Sequence, residues 1–466
     1  LVNIKILSFL TKCEIYFSIG GNKRYLSNLK IRHMNKQLQN LQATAEENDK
    51  RWTTLLGGYV DSFDQSNGIN YFAGNSLGLQ PKKFLEKLIK HAIIWMTKQH
   101  DGHFTEDGTK SDRPWWRYQE KLVETGSRLL GAEYNIISPE VAFLNTLSVN
   151  NRNLVETFAM YLRDHCIAPK CTPVVITVRT NFPSDNIGLK YALNIVFGEY
   201  GYKLVEVEPD ENGLYDFNHM IKVIKAEKNL VMGFFPGLCY ITGQRFPIRE
   251  ITAALHSVGA IAGFDLAHSV GNYQLSLHDD EVDFATFCGY KYVNGGPGAV
   301  GGIFIHKKWH GKFLFKDVSG WFGVHKDDRF NFDPDNYRPA PGAWRFLQSN
   351  DQIFNMLGVE SFFDLVNDYG EDKIFEKHEN ISTFLFECLT CIPQISIITP
   401  ELFEQRGCQI SFRIKNMDID YVLKKLKEKS FCEKRGIDII RVAPVGYNTF
   451  AQVWNFCDEL HKIVSV

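Results

Sequence analysis

Polar and aromatic residues of complementary chemistry follow three apolar segments of the sequence, at the point where each segment ends. Asp265 and His268 follow one segment, Tyr290 and Lys291 follow another, and the string NFPSD at 181–185 follows a third. In an open parallel sheet, functional groups gather beyond the carboxyl ends of the strands. An acid, an amine and aromatic rings at such an edge could hold an aromatic cofactor and form a covalent bond with it.

These residue types are the ones that pyridoxal phosphate needs. A lysine amine forms a Schiff base with it, and a carboxylate opposite the ring nitrogen keeps that nitrogen protonated, so that the ring withdraws electrons. Lys291 and Asp265 would fill these roles, and the interval between them is about one crossover unit plus a strand. The phosphate would rest where a predicted helix at 148–165 begins, because residues 146–148 offer free backbone N–H groups there.

Plainer interpretations of the same residues stay open. A single aspartate or lysine after a strand is most often a solvated loop residue, and Phe182 could be a packing residue instead of a platform for the ring. The glycines at 294–302 could form a tight turn between two strands. They do not match the G-x-G-x-x-G pattern that opens a helix, so a dinucleotide site is not indicated. Spacing alone does not choose between a cofactor site and ordinary loops.

Helical and strand patterns alternate along the chain from about residue 45. The strand-like apolar runs lie at 141–144, 174–178, 203–208, 230–235, 261–264, 283–288 and 299–306. Helical patterns between several of them lie at 148–165, 185–194, 216–226 and 249–257. This alternation predicts an α/β fold with a mostly parallel sheet, whose buried strands read as near-continuous apolar runs.

The C-terminal part of the chain has a different pattern. A long helix is predicted at 355–390, then a strand at 409–414, a helix at 418–429 and a strand near 439–444, which together indicate a small α+β unit. A chain of 466 residues is too long for one compact core, so two domains are expected. We predict a large domain at 45–345 with an N-terminal arm, a small C-terminal domain at 346–466, and an N-terminal extension at 1–44 that need not be ordered.

The first 33 residues are basic, with Glu14 as their one acid. That composition is typical of a transit peptide. Because the first methionine is Met34, upstream sequence carried into the chain explains the segment equally well. We therefore base no localisation on it.

Composition limits the possible partners. A formal net charge of -2 gives no electrostatic case for nucleic acid or an anionic membrane, and no run of about 18 apolar residues predicts a membrane span. The ten cysteines are scattered, which favours reduced thiols and a cytoplasmic protein. Cys388 and Cys391 form a single C-x-x-C without a second pair or a nearby histidine, so we predict no metal site.

Six strings of the sequence resemble the signatures of kynureninases and stand in that family's order, covering roughly residues 65–460. They are YFAGNSLGLQP at 71–81, GFDLAHSVGN at 263–272, YKYVNGGPG at 290–298, GWFG at 320–323, RGCQISF at 406–412 and RVAPVGYNTF at 441–450. The resemblance implies the fold of type I pyridoxal-phosphate-dependent transferases, which is similar to aspartate aminotransferase. It also implies a homodimer whose active sites are shared between two subunits.

The resemblance assigns roles to individual residues. Lys291 would carry the cofactor and move protons on the substrate, Asp265 would pair with the pyridine nitrogen, and Tyr290 would reach the phosphate. Further cofactor contacts would come from Leu147, Ser148, Phe182, Ser184, Asp185, Pro236 and His268, and from Trp321 and Asn350 of the second subunit. The implied substrate contacts are Ser76, His103, Asn350 and Arg441. Arg441 would hold an α-carboxylate, because its planar fork can donate to both oxygens.

The implied reaction is hydrolysis of the Cβ–Cγ bond of L-kynurenine or 3-hydroxykynurenine. Its products would be L-alanine and anthranilate or 3-hydroxyanthranilate, in tryptophan catabolism and NAD biosynthesis. Ile241 replaces an aromatic residue of the family pattern, and Asp351 and Gln352 stand where prolines are frequent. These departures leave the choice between the two substrates open, with His103 and Asn350 as candidate discriminators.

Two other functions stay open. A cysteine desulfurase or an aminotransferase would share the lysine and the aspartate, but a desulfurase needs a reactive cysteine on a mobile loop. The best candidate, Cys408, lies within an apparent strand. A degenerate dimer that keeps only the scaffold is the second alternative.

Overall fold

The computed structural model describes residues 23–104, 115–165, 171–199, 201–312, 320–331, 333 and 335–465, with the side chains of residues 23–33 and 35 left out. The helices are α1 (Lys23–Leu56), α2 (Lys83–Lys98), α3 (Gln119–Leu130), α4 (Leu147–His165), α5 (Pro183–Phe197), α6 (Phe217–Ala226), α7 (Ile248–His256), α8 (Ile353–Tyr369), α9 (Glu371–Thr390), α10 (Ile419–Leu426) and α11 (Phe450–Val464). The strands are β1 (Asn70–Tyr71), β2 (Val141–Phe143), β3 (Val174–Val178), β4 (Lys203–Val207), β5 (Leu230–Pro236), β6 (Ile261–Asp265), β7 (Phe284–Cys288), β8 (Gly301–Ile305), β9 (Ile395–Ile397), β10 (Ile410–Ile414), β11 (Ser430–Phe431), β12 (Glu433–Arg435) and β13 (Ile439–Val442). Within these ranges, no helix has the length and apolar character needed to cross a membrane.

A seven-stranded sheet forms the centre of the molecule, in the order β2-β8-β7-β6-β5-β3-β4. The prediction of a mostly parallel sheet is confirmed, because β8 alone runs against its neighbours. The run at 299–306 was wrongly placed in the parallel series. The twelve residues 289–300 that join β7 to β8 form turns and no helix, whereas a parallel crossover takes a dozen or more residues and usually contains a helix.

Helices cover both faces of this sheet, so successive residues of its strands enter two different apolar clusters. Phe284 of β7 packs on the α4 side, where its ring stacks on Phe158 at 4.4 Å between centroids. The next residue, Ala285, lies in the cluster on the opposite face. Burial on both faces explains why these strands read as continuous apolar runs.

The C-terminal unit is built on a four-stranded antiparallel sheet in the order β12-β13-β10-β9. The single helix predicted at 355–390 is wrong, because the segment forms two helices, α8 and α9. They break at Gly370, whose φ of 84° lies in the left-handed region and suits glycine better than any other residue. The short strand β1 pairs with β11, so the segment at 70–71 contacts the C-terminal unit.

Helix α1 packs along α11. Leu38, Ala45 and Trp52 are buried in the core, and the Asp49 carboxylate accepts from the first backbone N–H groups of α11. Such a carboxylate satisfies N–H groups that have no partner within their own helix. The predicted boundary at residue 44 therefore falls inside a packed helix, and the part of the predicted extension from residue 34 onward packs on the fold. Residues 1–22 lie outside the described part.

Candidate active site

A cleft opens at the carboxyl ends of β3, β5, β6 and β7. Because parallel strands end at one edge, residues distant in sequence meet there. Asp265 ends β6, and β7 leads through Gly289 to Lys291 on the neighbouring strand, as predicted. The cleft is lined by ten of the predicted site residues, namely Leu147, Ser148, Phe182, Ser184, Asp185, Pro236, Asp265, His268, Tyr290 and Lys291.

The Lys291 amine is the reactive group at the centre of the cleft. Its side chain is largely buried, and Nζ lies 3.0 Å from Nε2 of His268. Burial lowers the pKa of His268 well below its usual value, and the nearby positive charges of Lys291 and Arg441 lower it further. The imidazole is therefore neutral at physiological pH, and its Nε2 can accept a hydrogen bond from the amine.

Two carboxyl groups, those of Asp185 and Asp265, face each other beside this amine. The Asn151 amide donates to both, at 2.9 Å to Asp185 and 3.3 Å to Asp265. Burial raises the pKa of Asp185 well above its usual range, and the neighbouring charge of Asp265 raises it further. Like charges this close are both ionised only at high cost, so the pair keeps a proton, which the raised pKa of Asp185 assigns to that carboxyl group.

Two helices begin at the cleft. Leu147 and Ser148 start α4, Pro183 and Ser184 start α5, and the two serine hydroxyls lie 3.2 Å apart. The positive ends of both helix dipoles and their free N–H groups suit a phosphate. Tyr290 lines the same cleft, and burial raises the pKa of its phenol, which therefore keeps its proton and can donate.

Buried polar atoms without partners indicate that the cleft suits a polar ligand. Among the described residues, Nδ1 of His268 and Nδ2 of Asn181 are buried and have no hydrogen-bond partner. Such atoms are costly unless a ligand or water satisfies them. Together with the amine, the carboxylate and the two helix N-termini, they match the groups that pyridoxal phosphate presents.

Ser76 and Arg441 meet each other, but they lie behind the wall of the cleft. Nη2 of Arg441 donates to the Ser76 hydroxyl at 3.0 Å, and Nη1 donates to the Tyr240 carbonyl at 2.6 Å. Tyr240 lines the cleft, where its ring packs edge-on against Phe182 at 5.3 Å between centroids. The residues predicted to bind the substrate's carboxylate therefore lie next to Phe182, which is predicted to contact the cofactor ring.

His103, Trp321 and Asn350 do not line this cleft. Trp321 is 37% exposed, and Asn350 is also exposed. An aromatic chain connects two of the three, because Trp116 contacts both Trp321 and Phe104, and Phe104 contacts His103. Gly320 abuts the Gln348 carbonyl, which brings the segment before Asn350 to the same surface.

The sequence interpretation missed Asn151 and Tyr240. Asn151 lies one turn after Ser148 on α4, so helical spacing from the predicted phosphate residues could have indicated it. Tyr240 follows β5 and carries no comparable signal, because a tyrosine in a loop is common. The contacts of Asn151 with two acids place it at the centre of the site.

Cys408 does not have the environment of a reactive thiol. It is fully buried, its Sγ lies 3.9 Å from the His378 carbonyl, and burial raises the pKa of the thiol. A nucleophilic cysteine needs partial exposure and a lowered pKa. This environment argues against Cys408 as the nucleophile of a desulfurase.

One group of metal-ligand types meets within the described part of the chain, and consists of Glu140, His278 and His306. Its atoms are already used in hydrogen bonds. Both Glu140 oxygens lie near Nδ1 of His278, and Nδ1 of His306 accepts from the Lys308 backbone N–H at 3.0 Å. These bonds identify the cluster as a polar network that joins the ends of β2 and β8.

Comparisons with known proteins identify the family to which this chain belongs. The aminotransferase class-V family matches residues 192–442. A kynureninase of Flavobacterium psychrophilum is 34% identical over 419 residues, covering 86% of this chain and 92% of that protein. A kynureninase of Myxococcus xanthus is 35% identical over 424 residues, covering 87% of this chain and 93% of that protein.

Solved structures share the fold at lower identity. The cysteine desulfurase of Thermococcus onnurineus superposes with a TM-score of 0.69 at 17% identity, over 87% of this chain and 97% of the other. C-DES, solved with glycine covalently linked to its pyridoxal-phosphate cofactor, superposes with a TM-score of 0.69 at 15% identity, over 86% and 98%. The sequence relatives and the cleft agree with the six signature strings, and this chain belongs to the kynureninase family, within the class-V aminotransferases.

Proposed function

We propose that this chain is a pyridoxal-phosphate-dependent hydrolase that cleaves the Cβ–Cγ bond of L-kynurenine or 3-hydroxy-L-kynurenine. Its products are L-alanine and anthranilate or 3-hydroxyanthranilate, as in tryptophan catabolism and NAD biosynthesis. The observation that carries this proposal is the convergence of Lys291, the pair Asp185 and Asp265, and two helix N-termini in one cleft. Relatives named kynureninase, which align with most of the chain, support the choice of reaction.

The cofactor, when bound through Lys291, withdraws electrons from the substrate carbons and makes their protons acidic. Asp265 supplies the negative charge for the ring nitrogen, and its Oδ1 is oriented by the backbone N–H of Ala267 at 2.7 Å. Ser148 and Ser184 would hold the phosphate, with Leu147 beside them at the start of α4. Phe182 would cover the ring.

Lys291 would hold the cofactor and would also move protons at the substrate carbons. Neutral His268 accepts from Nζ and so fixes where the amine rests. Tyr290 keeps its phenolic proton, which makes it a donor to the phosphate or to a developing oxyanion, and unsuited as the base that activates water. Arg441 and Ser76 bind the substrate's α-carboxylate.

The active protein is a homodimer with a shared site. Helix α2 exposes an apolar stripe formed by Leu85, Ile89, Ile93 and Met96, with Trp95 beside it. A row of exposed apolar side chains on one helix face is typical of an interface. Helix α2 leads directly into the 3₁₀ turn Gln99–His103, so the same interface would bring His103, and with it Trp321 and Asn350, to the partner's cleft.

We keep the division proposed from the sequence at residue 345, with a large cofactor-binding part before it and a small part from 346, whereas the limit at residue 44 falls within helix α1. All cysteines among the described residues are free. That state suits a reducing compartment and supports a cytoplasmic location. The small negative net charge supports a small-molecule substrate without nucleic acid or membrane partners.

The decisive experiment supplies L-kynurenine and 3-hydroxy-L-kynurenine separately to the cofactor-loaded protein and follows the fluorescence of the aromatic acids. We expect anthranilate or its 3-hydroxy form together with an equal amount of alanine. No aromatic product from either substrate would reject the proposal. A parallel assay with cysteine that gave sulfide, without alanine from kynurenine, would instead favour a desulfurase.

A further inference from the structure

The guanidinium of Arg441 already holds a carboxylate of its own chain. Nη2 of Arg441 donates to Oε2 of Glu433 at 2.6 Å, and the Ser76 hydroxyl donates to the same oxygen at 2.5 Å. The two residues that the family resemblance assigns to the substrate's carboxylate therefore both bind Glu433. Hydrogen bonds between charged groups at such distances are strong.

Ser76 has little capacity left for a ligand while Glu433 is in place. Its single hydroxyl proton goes to Glu433, and its oxygen accepts from Arg441 at 3.0 Å and from Arg435 at 3.4 Å. A hydroxyl offers one donor and two acceptor positions. A substrate carboxylate, which needs donors, finds none free on Ser76.

Both Nη atoms of Arg441 are engaged as well. Its side chain is 1% exposed, Nη1 donates to the Tyr240 carbonyl, and Nε is buried without a partner among the described residues. The bonds that an incoming anion can exchange are those of Nη2 with Glu433. Glu433 is 17% exposed and so is the more accessible member of the pair.

Arg435 is a second cation that can pair with Glu433 after its displacement. Nη2 of Arg435 lies 3.6 Å from Oε2 of Glu433, and the Arg435 side chain is 33% exposed. A small rotation of Glu433 toward Arg435 would free Nη2 of Arg441 and the Ser76 proton together. The exchange never leaves the buried guanidinium without an anion, which would be costly.

We propose that Glu433 occupies the place of the substrate's α-carboxylate, and that the substrate binds by displacing Glu433 from Arg441 and Ser76 toward Arg435. Glu433 is thus a specificity-determining residue that every carboxylate ligand must outcompete. The inference rests on the proposed function, because it takes Arg441 as the carboxylate clamp. Three contacts carry it: the Glu433 bonds with Arg441 and Ser76, and its proximity to Arg435.

The test compares two ligands that differ only in the carboxylate. The acid 3-benzoylpropanoate has the kynurenine skeleton without either amino group, so it cannot react with the cofactor, and its primary amide is the uncharged partner. Dissociation constants of both are measured by calorimetry on the cofactor-loaded wild type and on Glu433→Gln. A neutral amide competes for a guanidinium less strongly than a carboxylate, so we expect roughly tenfold tighter binding of the acid by Glu433→Gln. Binding of the primary amide should stay the same.

The matched control is Asp438→Asn, which removes the same charge from the same hairpin. Asp438 pairs with Arg413 at 2.7 Å and, within the described part of the chain, makes no hydrogen bond or ion pair with Glu433, Arg435 or Arg441. Asp438→Asn should bind both ligands as the wild type does. Equal or weaker binding of the acid by Glu433→Gln than by the wild type would overturn the inference and would mark Glu433 as a mere support for Arg441. Failure of the wild type to cleave kynurenine would reject the proposed function, and is seen in a separate assay.

Discussion

Nζ of Lys291 and Nε2 of His268 lie 3.0 Å apart at the floor of the cleft. The pKa of His268 lies well below its usual value, because burial and the positive charge of Lys291 both disfavour a second cation. Protonation of His268 would turn its acceptor into a donor and break this contact. The lysine is therefore oriented only while the imidazole is neutral, and that state holds above the lowered pKa and is lost when the pH falls through it.

Replacing Lys291 with Ala should remove both the visible absorbance of the cofactor-loaded protein and its activity. The absorbance depends on the covalent bond to the lysine, and loss of the proton-transferring group should lower kcat by at least roughly 10²–10⁴-fold. Absorbance spectra and product fluorescence measure the two effects. Lys190→Ala is the control, since Lys190 is 46% exposed and does not line the cleft. An unchanged spectrum in Lys291→Ala would show that another amine holds the cofactor.

The two carboxyl groups should respond differently to amide substitution. Asp185 keeps a proton because burial and the charge of Asp265 raise its pKa, so Asn at 185 resembles the state already present. Asp265→Asn removes the negative charge opposite the ring nitrogen. We expect Asp185→Asn to keep kcat within about tenfold and Asp265→Asn to lose roughly 10²–10⁴-fold. Kinetic constants at neutral pH decide this, and a reversed order of the two losses would contradict the assignment of the proton.

Asp351 should make the protein less stable as the pH rises. Burial raises its pKa to about 7 from 3.8, although Gln119 and Arg329 oppose the shift. Between these values the folded state retains a proton that the unfolded chain releases, so the free energy of unfolding falls with pH until about 7. Asp351→Asn removes this penalty and should be more stable than the wild type by about 1–3 kcal/mol near pH 8, with little difference near pH 4. Urea unfolding at both pH values measures it, with exposed Asp335→Asn as the control. A gain of equal size at both pH values would show that ionisation is not the cause.

The sequence predicted the parts of the site that depend on strand ends, and missed those that depend on distant loops. Asp265 and Lys291 could be placed because each follows an apolar run, and parallel strands end at one edge. The direction of β8 could not be read from its apolar run, because burial on both faces looks alike in either direction. Glu433 is separated from Ser76 by 357 residues, and an acid in a charged segment gives no sign that it will face a buried arginine. The break at Gly370 could be recognised only as a glycine within a helical pattern.

Two inactive variants should restore activity to each other if the active site is shared. Lys291→Ala lacks the amine of its own cleft, and His103→Ala lacks a residue that would serve the partner's cleft. In a heterodimer of the two, the cleft that carries Lys291→Ala also receives the substituted residue 103 of its partner. The other cleft keeps Lys291 and receives His103. Random mixing makes half of the dimers mixed, so activity should recover to about a quarter of the wild-type value. The variants are unfolded and refolded together with the cofactor, and the kynurenine assay is repeated. The control is a mixture of the two variants refolded separately and combined immediately before the assay. If the jointly refolded sample is no more active than this mixture, His103 serves the cleft of its own chain.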